Sequence, residues 1–290
     1  MSESQRPLEG KLGIVTGGSR GIGAAIAENL ASKGCDLILN FTSPSSSGPI
    51  AAIAANLSKT YNVEAVAFLA DMGDSKGPAT IVDFAVSQFT QTHTNPQTGL
   101  LQIDIIINNA GVSYNRYIQD CTPEEFHKQY NINVLGPLLL VQAALSYLPH
   151  DRSGRIVNLS SVSASQGFEA QSVYGGTKAA LDAMTRTWSR ELAERATVNS
   201  INPGPVTTDM YAGTSLQFRE KLRPFIEHTP LAQMDTSKMS EEEKRKYKLA
   251  GGREAYPKEA AGIVGMLCGK ESGWCTGSVI CANGGMVFST

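Results

Sequence analysis

The chain has 290 residues, 41% of them apolar, with 25 basic against 27 acidic side chains and a formal charge of −2. That is the composition of a globular protein rather than a disordered, collagen-like or disulfide-built one, and its balanced charge offers no bulk attraction to nucleic acid or an anionic membrane. No apolar stretch approaches the roughly 20 residues of a bilayer crossing, and Met1–Gly10 is too polar for a secretory signal. Five scattered cysteines (Cys35, Cys121, Cys268, Cys275, Cys281) without a Cys-x-x-Cys pair fit a reducing, cytoplasmic compartment. Four histidines (His93, His127, His150, His228) lack metal-ligand spacing, so surface positions and no metal are expected.

In chain order, apolar runs suited to strands fall at Leu12–Val15, Leu37–Phe41, Val63–Leu69, Ile103–Ile107, Arg155–Leu159, Val198–Ile201 and Ser278–Cys281. Several are apolar throughout, as in strands covered on both faces of a parallel sheet. Helical patterns lie between them at Gly21–Lys33, Thr80–Thr92, Pro123–Leu148, Val173–Arg195 and Pro257–Leu267. The third of these opens with Thr122 as N-cap, Pro123 in the first turn and Glu124 and Glu125 at the positive end of the dipole. The alternation predicts an α/β fold with a doubly wound parallel sheet. Thr92–Gly99 reads as a polar surface loop. Asp209–Tyr256 is a longer excursion, apolar and aromatic at first (Met210, Tyr211, Leu216, Phe218, Leu222, Phe225, Ile226) and then charged (Glu241–Lys248). No Pro/Gly/Ser linker divides the chain, so residues 1–290 read as one domain. Residues 209–256 are then a lid over the substrate or, alternatively, a static subunit contact or partly disordered insertion.

The first strand runs into Thr16-Gly17-Gly18-Ser19-Arg20-Gly21-Ile22-Gly23 and then a helix. Glycines there permit a tight turn and let the backbone approach a pyrophosphate at the helix N-terminus, which points to a dinucleotide. A site for NAD normally carries an acid at the end of the second strand. Here that segment is Asn40-Phe41-Thr42-Ser43, and the nearest acid, Asp36, stands at the strand's other end. With Arg20, Thr42 and Ser43 at hand and no carboxylate to repel a 2′-phosphate, NADP(H) is the expected cofactor.

Further motifs follow in order: Asp71, then Asn108-Asn109-Ala110-Gly111, Asn133, Ser160-Ser161, Tyr174-Gly175-Gly176-Thr177-Lys178, and Pro203-Gly204-Pro205-Val206-Thr207-Thr208. Together they resemble the short-chain dehydrogenase/reductase family, over about residues 9 to 288. The resemblance implies a Rossmann-type sheet of about seven strands with helices on both faces. The chemistry also follows from the residues. Tyr174 and Lys178 share one helix face. Bringing a tyrosine from about 10 toward 7 takes roughly 4 kcal/mol, which a cation about 4 Å away supplies at an effective dielectric near 20. Lys178, helped by an oxidised nicotinamide, is expected to do this, and in reduction Tyr174 gives its proton to the nascent alkoxide. Ser161 can hold the carbonyl oxygen beside the phenol, whereas Ser160 lacks the spacing to Tyr174.

By resemblance, Asn133 anchors a water relaying protons to Lys178, which also holds the nicotinamide ribose. Asp71 and Asn109, with Ala110 and Gly111, match adenosine-side positions, and Val206 and Thr208, with Pro203 and Gly204, match those near the carboxamide. Helix capping or loop satisfaction is the alternative for Asn109 and Asn133. The expected activity is NADPH-dependent reduction of a small or medium ketone to an alcohol. The alternative is an NADPH-binding sensor or intermediate-shaping protein without turnover. Tyr114, Phe168, Tyr211 and Phe218 suggest an apolar, aromatic or polyketide-like substrate, although core packing explains them equally well. The family implies a homotetramer or homodimer built on the long helices.

Overall fold

Ile-, Leu- and Val-rich segments that would be insoluble alone lie side by side in one sheet. The structure is a computed structural model and describes residues 6–237 and 239–288. Lys238 of the excursion and the first five residues of the polar N-terminus lie outside the described residues. Among the described residues the strands are β1 (Leu12–Val15), β2 (Asp36–Phe41), β3 (Ala65–Leu69), β4 (Ile105–Asn108), β5 (Gly154–Leu159), β6 (Ala196–Ile201) and β7 (Val279–Ile280). They pair in parallel in the order β3-β2-β1-β4-β5-β6-β7. Every residue of β1, β4, β5 and β6 is buried; β1 is apolar throughout, whereas β5 and β6 also bury Arg155, Asn158, Thr197, Asn199 and Ser200. The order reverses beside β1, and a crevice opens there at the strands' C-terminal ends.

The helices are α1 (Gly21–Ser32), α2 (Ser47–Tyr61), α3 (Gly77–Phe89), α4 (Pro123–Tyr130), α5 (Gly136–Ala144), α6 (Ser163–Gln166), α7 (Ser172–Glu191), α8 (Asp209–Ala212), α9 (Leu216–Glu227), α10 (Glu241–Ala250) and α11 (Pro257–Leu267). On one face Ile26 and Leu30 of α1, Ile50 and Leu57 of α2 and Val264 of α11 pack on Leu37, Leu39, Ile107 and Val157. On the other, Ile81 and Phe89 of α3, Leu140 of α5 and Trp188 of α7 pack on Ile14, Ile38, Ile106 and Val198. This is the seven-stranded Rossmann-like sheet expected from the alternation, with helices on both faces. None of the described helices is long and apolar enough to cross a membrane.

Four details differ from the sequence reading. Helix α2 was absent from it, because the helix is entered through Pro44-Ser45-Ser46-Ser47-Gly48-Pro49, whose residue types mark loops. The predicted Pro123–Leu148 helix is interrupted: α4 ends at Tyr130, Asn131–Leu135 is π-helical, and α5 starts at Gly136. β7 shrinks to Val279–Ile280. The Thr92–Gly99 loop is anchored, since His93 is buried and its Nε2 lies 2.9 Å from Asp36 Oδ2. His93 is thus a buried residue beside the start of β2, contrary to the surface position expected for it.

Candidate active site

Thr16, at the end of β1, ties the glycine turn to the end of β4. Its hydroxyl accepts from the Asn109 and Ala110 N–H groups at 3.0 Å each, and Asn109 Nδ2 donates to Thr16 O at 2.8 Å. Gly17 and Gly21 take φ of +65° and +56°, values that disfavour any side chain. A Cβ on Gly23 would stand 2.2 Å from Gly17 O, so only glycine lets α1 approach the turn. Arg20 caps α1 with no side-chain hydrogen bond, which leaves the first N–H groups of this 12-residue helix unclaimed by a cap. An uncapped helix N-terminus under a glycine turn fits a dinucleotide pyrophosphate.

A cavity of about 680 Å³ opens along these strand ends. Gly17, Ser19, Arg20, Gly21, Ile22 and Gly23 line it from the turn, and Thr42 and Ser43 from the end of β2. Asp71, Asn109, Ala110 and Gly111 line it from the loops after β3 and β4. Ser161, Tyr174 and Lys178 form its wall, and Pro203, Gly204, Val206 and Thr208 close the far end.

Three expected residues stand elsewhere. Asn40 is fully buried behind the wall, where its Nδ2 donates to Ala70 O at 2.9 Å and spans the β2–β3 crossing. Asn133, in the π-helical segment, is a brace rather than a lining residue. Its amide closes a two-way bond with Val112, N to Oδ1 and Nδ2 to O, both 2.9 Å, and donates to Thr177 Oγ1 at 3.0 Å. Both of its amide hydrogens are therefore committed to protein, and it locks the loop after β4 to the residue preceding Lys178. Tyr114 lies outside the cavity, with Lys128 over its ring.

Lys178 is buried and donates to Leu159 O at 2.6 Å, with its ammonium 5.7 Å from the centre of the Tyr174 ring. Burial pushes the lysine down to about 8. It pushes the Tyr174 phenol up to about 12, against the pull of the Ser161 hydroxyl. With these protein residues alone desolvation dominates the phenol, and the Ser161 hydroxyl is the group that pulls it down. The phenol stays protonated, the form that donates.

Around Ser161 runs a polar chain that the sequence reading missed. Ser161 Oγ bonds Ser163 Oγ at 3.1 Å, and Ser163 Oγ donates to Gln171 Oε1 at 2.6 Å. Gln171 Nε2 and Ser113 Oγ both donate to Asn115 Oδ1 at 3.1 Å. Ser113, Ser163 and Gln171 line the cavity. The available signal was position: each sits in a loop or turn just past a strand end, or three residues before Tyr174. Opposite them, Phe168, Tyr211, Phe218 and Leu222 give an apolar wall, the last three from the excursion. The excursion closes on itself, for Val206 bridges Ala255 and Thr207 N donates to Ala255 O at 2.9 Å. Arg20 reaches across the mouth to Asp209, Nη1 to Oδ2 3.3 Å, both well exposed.

Comparison with known proteins agrees with this geometry. The family model for short chain dehydrogenases matches residues 11–217. The chain is 51% identical to an L-xylulose reductase of Aspergillus niger, over 98% of this chain and 99% of that one. It is 47% identical to an L-xylo-3-hexulose reductase of Hypocrea jecorina, with the same coverage of both chains. A blue fluorescent protein from a metagenomic library, solved in complex with NADPH, superposes with a TM-score of 0.80 at 29% identity, over 97% of this chain and 100% of that one. A parallel sheet with its crevice beside β1, a glycine turn under an uncapped helix and a Ser–Tyr–Lys wall thus meet a full-length sequence match: the chain belongs to the short-chain dehydrogenase family and is an oxidoreductase.

Proposed function

We propose that the protein uses NADPH to reduce the carbonyl of a small polyhydroxylated ketone, a ketose. The observation that carries this reading is the amide and hydroxyl chain Ser161–Ser163–Gln171–Asn115 beside the proton donor. The chain bonds within itself, yet Ser161, Ser163 and Gln171 line the cavity and keep spare hydrogen-bonding capacity that solvent meets there, and an apolar ketone, the expectation from the sequence, would displace that water without replacing its bonds. Hydroxyls of a sugar would replace the water. The names of the two reductase relatives, on L-xylulose and L-xylo-3-hexulose, support the same class.

NADPH, when bound, supplies the hydride. Ser161 holds the carbonyl oxygen, and the neutral Tyr174 phenol delivers its proton to that oxygen as negative charge develops. The Lys178 ammonium stabilises the phenolate left behind. Arg20, Thr42 and Ser43 hold the 2′-phosphate, the basis of NADPH preference over NADH. Residues 209–256 act as a lid, with Tyr211, Phe218 and Leu222 excluding water from above.

The test is NADPH oxidation against pentuloses, hexuloses and apolar ketones of similar size. Turnover confined to the apolar ketones overturns the ketose reading, and binding without turnover on any carbonyl overturns the enzymatic one. In the same assay Arg20→Ala should weaken NADPH far more than NADH, and adding Thr42→Asp should shift preference further. A wild type with higher kcat/KM for NADH rejects the cofactor assignment.

A further inference from the structure

Asp182 lies one helical turn beyond Lys178 on α7, so Tyr174, Lys178 and Asp182 occupy one stripe at four-residue spacing. A carboxylate is an unusual side chain to bury at this place, and Asp182 is buried. Ser200 Oγ on β6 donates to its Oδ1 at 2.8 Å. Ser160, the neighbour of Ser161, also reaches its carboxylate, and Ser160 Oγ stands 3.3 Å from the Lys178 backbone oxygen. Asp182 therefore holds together three parts of the structure: the turn that carries Ser161, the helix that carries Tyr174 and Lys178, and β6.

We propose that Asp182 is a positioning residue of this active site, the counter-charge that keeps the Lys178 ammonium in the fold and clamps the Ser160–Ser161 turn to α7. Burial works against the ammonium, and the Asp182 charge acts in its favour. Burial raises the Asp182 carboxyl above its ordinary range, while the hydroxyls of Ser200 and Ser160 and the charges of Arg186 and Lys178 favour its ionised form. Arg186, exposed on the same helix, has the larger effect of the two charges, and the buried lysine adds to it. The mechanistic consequence rests on the reading of Lys178 as the group that stabilises the Tyr174 phenolate; the electrostatic claim does not.

Two readouts keep these apart. In the cofactor-free protein, the Cε resonance of Lys178, assigned by its loss in Lys178→Met, reports the lysine titration directly. Asp182→Asn keeps the shape and an acceptor for Ser200 but removes the charge, so the midpoint should move down by about half to one pH unit. Asp182→Glu should restore most of it. An unmoved midpoint overturns the proposal, whatever the activity. In NADPH-dependent reduction, the alkaline limb of kcat should move to lower pH in Asp182→Asn, with near-normal kcat at acidic pH. A loss uniform across pH means Asp182 is only structural and overturns the positioning role. A wild type without an alkaline limb sinks the reading of Lys178 and leaves the resonance result standing by itself. Should Asp182→Asn not fold, Asp182→Thr removes the same charge and should also lower the midpoint; no shift there overturns the proposal.

Discussion

Burial holds the Tyr174 phenol neutral and weakens the Lys178 ammonium without removing its charge at neutral pH, and this sets what each substitution does. Tyr174→Phe keeps the ring and removes the proton, so turnover should fall at least about 100-fold while NADPH affinity, measured by fluorescence titration, changes little. Near-normal turnover would mean another group gives the proton. Lys178 illustrates the cost of this arrangement. Its displacement from 10.5 to about 8 corresponds to roughly 3 kcal/mol. Between those values the unfolded chain holds a proton that the fold does not. Stability therefore rises with pH through that window, and the penalty is full below about pH 8. Lys178→Met removes the charge but strands the Leu159 carbonyl at about 1 kcal/mol, so a net gain of about 1–2 kcal/mol is expected at neutral pH. A higher melting temperature with no reductase activity is the predicted pair of results, and a lower melting temperature contradicts it.

At the scale of elements, the excursion divides into two unlike halves. α9 buries Phe218, Leu222 and Ile226 in a small cluster with Ala232, against which Phe168, Tyr211 and Met286 pack. α10 buries none of its residues, and its start is fixed by a capping box between Ser240 and Glu243. Deleting residues 235–249 should therefore leave the sheet and NADPH affinity intact and raise KM for the ketone. Unchanged kinetics together with unchanged hydrogen exchange on ligand addition would reduce the segment to an inert insertion. Legibility in the sequence followed the physics of each element. β1 and the body of β4 were readable because burial on both faces favours continuous apolar runs, and the glycine turn because φ and close approach admit no other residue. The π-helical Asn131–Leu135 was not, since its residues suit an α-helix and the bonds of Asn133 to Val112 and Thr177 arise only in the fold. Nor was the polar character of the substrate end: Ser113, Ser163 and Gln171 look like ordinary loop and helix-start residues until the fold brings them together.

For the molecule as a whole, one run of exposed apolar residues follows α4, the π-helical segment and α5. Phe126, Leu135, Leu138 and Leu145 are each at least a third exposed, at 41%, 37%, 40% and 40%. Leu135, Leu138 and Leu145 recur at helical spacing and form a stripe rather than scattered single residues. A second copy of the chain is the simplest cover, in cyclic or dihedral symmetry. Light scattering at micromolar concentration should give a dimer or tetramer, and Leu138→Glu should lower the mass. A wild-type monomer at that concentration rejects the expectation.

Gly23 also gives the chain a genetic property. Every single-base missense change of a glycine codon installs a Cβ, and at this position that atom would meet Gly17 O at 2.2 Å. Because the obstacle is backbone, no replacement relieves it by bending a flexible side chain aside, so the position has no graded series of weakened alleles. Gly48 and Gly262, where an added Cβ meets nothing within 4 Å, stand at the other extreme and can drift. Two glycines written with the same codons are thus subject to opposite purifying pressure, set by what their backbones approach.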